Sequence, residues 1–186
     1  MKRSLFRLAS TAALTLALGV PLAAVAADDD EPYRDAAQVR AELAKILTCQ
    51  AKRADFMRMG SALTPVYYEQ TAQPALAGWS RVKDDNAFVG VLSMPEAITV
   101  YGHSTKQLMM VGEGVLAVLD GDLADALSKQ LKLAPSDQPL AGHIRVREVS
   151  REALGDGVQA TITQTVSTIT SHPGKTLVGC EYRMIW

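Results

Sequence analysis

Three histidines, two cysteines and a serine that directly follows a histidine are the first side chains here whose types could support chemistry. His103, His143 and His172 lie 40 and 29 residues apart. Neither gap gives the i,i+4 pairing that aims two imidazoles from one helix face at a zinc ion, so the spacing predicts no metal site. His103 and Ser104 are adjacent, but sequence neighbours rarely share nucleophile–base geometry, and no Gly-x-Ser-x-Gly turn surrounds any serine. Asp84, Asp85, Glu96, Glu113 and Asp156 each fall in a predicted turn, where solvation accounts for them, and their spacing marks no glycosidase pair. Gly112-Glu113-Gly114 lacks the lysine and following helix of a phosphate loop. The methionines, soft enough for cuprous copper, are read as core fillers, with Met57 and Met184 on buried faces. This inventory predicts no catalytic residue, no cofactor and no metal.

The cysteines depend on where the chain goes. Lys2, Arg3 and Arg7 precede an apolar run over residues 8–20, Pro21 ends it, and Ala24-Val25-Ala26 supplies a small-x-small cleavage pattern. That is the layout of a signal peptide over residues 1–26, leaving residues 27–186 as one periplasmic domain. The run is short of the roughly 20 apolar residues that span a bilayer, so no membrane association is expected after cleavage. In an oxidising compartment Cys49 and Cys180 are most simply a disulfide, since two cysteines allow one intramolecular pairing. The net charge is −1, and removing Lys2, Arg3 and Arg7 leaves 16 basic against 20 acidic residues, a net of −4. Nucleic acid is thereby excluded as the default partner, because phosphate binding needs concentrated positive charge.

The elements that must position these residues follow from periodicity. Residues 35–59 carry Ala36, Val39, Leu43, Ile46, Leu47, Ala54 and Met57 near 3.6-residue spacing, which predicts one long helix with Gly60 at its C′ position. Residues 61–78, with Pro65, Pro74 and Gly78, read as a connection. Short β-favouring runs at 88–94, 97–101, 106–111 and 115–119 predict an antiparallel meander, with Met94-Pro95-Glu96 as one of its separators. A second, shorter helix follows, N-capped by Asp120 or Asp122, with Leu123, Ala126, Leu127 and Leu131 on one face and Pro135 beyond its end. Residues 143–152 and 158–170 flank Gly155-Asp156-Gly157 as a hairpin. The final strand sets Val178, Cys180, Tyr182, Met184 and Trp186 on one face. The expectation is an α+β single domain: an antiparallel sheet, a long N-terminal helix and a second shorter helix, with the disulfide stapling the long helix across the sheet.

Recognition rather than catalysis is therefore the expected work. The turns at 101–106 and 171–175 each carry a histidine, a hydroxyl and a lysine, which makes Tyr101, His103, Ser104, Lys106, His172 and Lys175 candidates for contact with a partner. Tyr67 and Tyr68 are candidate interface anchors. The segments Ile98-Thr99-Val100-Tyr101-Gly102-His103-Ser104-Thr105 and Ser171-His172-Pro173-Gly174-Lys175-Thr176-Leu177-Val178-Gly179-Cys180 resemble uncharacterised exported proteins of Gram-negative bacteria. Some exported proteins of similar layout are immunity proteins that guard a producer against cell-wall-attacking toxins of its own secretion system. The resemblance implies a partner of that class, an exported toxin or hydrolase, and assigns no catalytic residue. Two other readings stay open: an envelope accessory protein with an apolar pocket between helix and sheet, and a hydrolase with a dispersed site using His103 or His172.

Overall fold

A computed structural model of the 186-residue chain describes residues 31–83, 90–137, 143–168 and 173–186. Helix α1 spans Ala36–Leu47; the Asp35 carboxylate accepts the Gln38 amide at 2.8 Å and caps its start. Val39, Leu43, Ile46 and Leu47 form its fully buried stripe.

The helix expected to run on to Met59 stops at Leu47. The Thr48 hydroxyl bonds back to the Ala44 carbonyl at 2.7 Å, and Cys49 takes a left-handed φ of 59°. The Gln50 amide then closes on the Lys45 carbonyl at 2.8 Å, as at many helix C-termini. A new helix, α2 (Arg53–Tyr67), begins where the Asp55 carboxylate accepts the Lys52 amide. It runs through Gly60 and Pro65, the residues that predicted an end and a connection. Pro65 lacks the N–H that would bond one turn back. Burial of Ala62, Leu63 and Val66 around it offsets that loss.

After a 3₁₀ turn at Pro74–Leu76 the sheet begins: β1 (Ser80–Arg81), β2 (Gly90–Val100), β3 (His103–Val111) and β4 (Gly114–Asp120). Met94-Pro95-Glu96 does not separate two strands. It lies in an irregularity of the single strand β2, between Ser93 and Ile98, where a proline costs no ladder bond. Helix α3 (Ala124–Leu131) follows, and here Asp120 and Asp122 are not the cap. Asp120 is drawn into β4 opposite Lys175, while the Leu123 amide at the helix start donates to the Thr176 hydroxyl at 2.9 Å. Ala126 is exposed and Leu127 carries the contact.

Strands β5 (Ala134–Pro135), β6 (Ile144–Gly155), β7 (Val158–Ser167) and β8 (Lys175–Ile185) complete an antiparallel sheet in the order β1-β2-β3-β4-β8-β7-β6-β5. Two meanders thus meet along β4 and β8. The fold is α+β, one domain. The helices cover one face, where Val115, Ala117, Leu119, Val178 and Tyr182 meet α1 and α2. A smaller cluster of Val91, Met109, Leu116, Val118 and Leu177 lies on the other. Cys49 and Cys180 are bonded across 131 residues, pinning the end of α1 to the middle of β8. Beyond Tyr182 the last strand leaves the core: Met184 and Trp186, expected on its buried face, are 36% and 90% exposed. No helix among the described residues is long and apolar enough to cross a membrane.

Candidate functional site

The register of β3 and β4 ends early, and that creates a groove. Their pairing runs from Val111↔Gly114 to Leu108↔Ala117 and no further. Beyond it the Thr105 hydroxyl, rather than a ladder amide, donates to the Val118 carbonyl at 2.5 Å. Gln107 folds its own amide back onto that hydroxyl at 3.0 Å. The strands are thereby held apart, and the gap opens into a groove of about 430 Å³. Ser104, Lys106 and Gln107 of β3 line one side, Val118 and Asp120 of β4 and Lys175 of β8 the other.

Three of the predicted contact residues, Ser104, Lys106 and Lys175, converge on this groove, and they do so from strands, since β3 begins at His103 and β8 at Lys175 where turns were expected. The Lys106 ammonium donates to the Pro95 carbonyl at 3.0 Å, bridging the irregular part of β2. Lys175 is paired with the Asp120 carboxylate, itself 90% exposed. Two ammonium groups against one carboxylate leave the groove net positive on a molecule that is net negative. Each lysine retains N–H donors beyond its one internal partner. Chemically, such a groove suits a carboxylate or another anion held by charge-assisted hydrogen bonds.

The remaining predicted residues go elsewhere. Tyr101 sits with Gly102 in the tight turn between β2 and β3, both at positive φ. Its hydroxyl points inward, donating to the Leu47 carbonyl at 3.2 Å and accepting from the Gln164 amide at 2.6 Å. Burial pushes this phenol above its ordinary pKa. Tyr101 is a structural strut rather than a contact residue. His103 opens β3 opposite Val100 and is half-buried. His172 lies outside the described residues, as do Ser171 and the predicted carboxylates Asp84 and Asp85. The Tyr67 ring packs under the Arg81 guanidinium, 4.4 Å from its centroid, and Tyr68 stands edge-on to it, 62% exposed. Neither tyrosine lines the groove. Cys49 and Cys180 are consumed by their bond. Among the described residues no group of three His, Cys, Asp or Glu side chains is placed to hold a metal ion.

The sequence reading missed Asp120, which the charge pairing with Lys175 would have shown only once the strand order was known. It also missed a second groove of about 380 Å³ between α2 and the β3–β4 turn. Phe56, Met57 and Met110 give its apolar wall. Met57, expected in the core, is 46% exposed there because α2 starts afresh at Arg53 and turns a different face inward. At the groove's end the Arg53 guanidinium approaches the Glu113 carboxylate at 3.4 Å and donates to the Tyr182 carbonyl. Comparison with protein-family models, with characterised proteins and with solved structures finds no match, so the chemistry rests on this geometry.

Proposed function

We propose that the chain is an exported, non-enzymatic binding protein of the inhibitor or immunity type. In this reading residues 1–26 direct it to the periplasm and are removed there. Its groove between β3 and β8 takes a carboxylate-bearing segment of a partner protein. The observation that carries the reading is the convergence of Lys106, Lys175 and the Ser104 hydroxyl on one groove. A glycan-cleaving hydrolase carries paired carboxylates in its cleft. Two ammonium groups facing that cleft would block it without any chemistry of their own. The net charge of −4 expected for residues 27–186 would steer the chain toward a basic partner, with the lysines setting the local fit.

The test is capture with residues 27–186 as bait, from periplasmic extract supplemented with the product of the adjacent reading frame. A hydrolase that elutes stoichiometrically and is inhibited in the complex is the expected result. The K106E/K175E variant is expected to bind it at least about tenfold more weakly, because each reversed charge faces a carboxylate. Equal binding by that variant would remove the groove from the interface. The exposed Met57 and the apolar groove beside it favour a second reading, a small apolar ligand bound against α2. A bait that elutes alone but takes up an apolar fluorescent probe would transfer the function there.

A further inference from the structure

Strand β6 is twelve residues long, and β5 covers its outer side only at Arg145 and Val146. From Arg147 onward no described strand lies on that outer side, and residues 147–151 are all exposed, with Val149 at 42%. Proteins commonly protect such an edge with charge and with bulges, and β6 has both. Its charges, however, are not of one sign, and their order is informative.

Glu148 and Arg151 stand opposite Thr163 and Thr161, on the sheet face away from the helices. They form a bidentate pair at 2.8 and 2.9 Å. Arg147 and Glu152 stand opposite Gln164 and Ala160 on the helix side, where the Arg147 guanidinium donates to Gln164 at 2.8 Å. Consider a second copy of the strand laid antiparallel on this edge with Val149 opposite Ser150. Glu148 then meets Arg151, and Arg147 meets Glu152, each pair occurring twice about the two-fold axis and each on a matching face. A shift of one residue either way loses both pairs, because Arg147 then lies opposite Arg151, or Glu148 opposite Glu152, with the two side chains on different faces. Opposite charges facing each other across a ladder stabilise it, so the pattern selects the one register that keeps both pairs on matching faces.

We propose that a second copy of this chain pairs with β6, residues 147–152 running against 152–147, to give one continuous sheet across a two-fold dimer. The geometry of the edge fits that window. The β6 irregularity between Glu148 and Ser150 falls on the axis in both copies, so each faces the other. The second, between Ala153 and Gly155, falls where the added strand must leave the edge to clear β5. Such a contact is isologous, and it closes at two copies instead of propagating.

The test is the mass of the purified, disulfide-bonded chain by sedimentation across roughly 1 µM to 1 mM. The wild type is expected to pass from monomer to dimer in that range. E148R and R151E each place like charges opposite one another twice, and each is expected to weaken association at least about tenfold. An equimolar mixture of the two variants restores both pairs and is expected to form a heterodimer. The double variant E148R/R151E is expected to dimerise by itself. Circular dichroism confirms folding of each variant, all changes lying on the exposed face. A wild type that stays monomeric to about 1 mM, single variants that dimerise as the wild type does, or a mixture that stays monomeric would each overturn the proposal.

Discussion

Tyr182 ties β8 to both long helices and to the turn before β4. Its ring stacks on Phe56 of α2 at 4.9 Å, its hydroxyl donates to the Ile46 carbonyl of α1 at 2.9 Å, and its amide donates to the Glu113 carbonyl at 2.8 Å. Burial, with Asp55 and Tyr101 nearby, raises its pKa far above the usual 10.0. Tyr33 is raised too, by burial and by Glu42, whose carboxylate accepts its hydroxyl at 3.2 Å. A folded-state pKa above the unfolded value favours the native protein at all lower pH. That stability is lost as pH rises past 10 toward the folded values. Urea midpoints are therefore expected to fall steeply above about pH 10. Absorbance near 295 nm should show part of the five-tyrosine signal appearing only with unfolding. A midpoint flat to pH 12 would mean that neither phenol is sequestered.

At the scale of elements, the β4–β8 seam depends on a missing side chain. Gly179 pairs with Leu116, and a Cβ there would collide with the Val115 carbonyl oxygen and stand 2.9 Å from Leu116 Cα. Backbone cannot swing aside as a side-chain tip can, so Gly179→Ala is expected to cost at least about 2 kcal/mol in urea unfolding. Gly60→Ala is the matched control: nothing lies within 4 Å of the added carbon, and a gain of up to about 1 kcal/mol is expected for α2. The strands of the C-terminal meander are legible in the sequence because Val158, Ala160, Ile162, Gln164 and Val166 alternate with polar residues. The division of the first helix is not legible. It depends on Cys49 holding a left-handed backbone while bonded to a strand 131 residues away. Ser104, Lys106 and Lys175 are legible as candidate contact residues, though they lie in strands rather than turns, and their meeting requires β8 to lie beside β4. Tyr101 misleads for the same reason, since its partners Leu47 and Gln164 are 54 and 63 residues distant.

For the whole molecule the disulfide is the covalent long-range constraint, closing a loop that contains every described strand up to the middle of β8. Its removal in C49S/C180S is expected to cost up to about 5 kcal/mol by the loop-entropy relation. That is the full stability of many domains, so thermal unfolding of this variant should begin near ambient temperature. An unchanged melting temperature would show that α1 and β8 hold together without the bond. The position of β8 carries a separate consequence. It is the eighth described strand along the chain and the fifth across the sheet, seated between β4 and β7. A ribosome that has delivered everything up to residue 174 has released two half-sheets that cannot yet touch, each with an inner edge exposed. Joining of the two halves is thus postponed until residues 175–185 emerge, so the order of synthesis sets when the sheet can become one body.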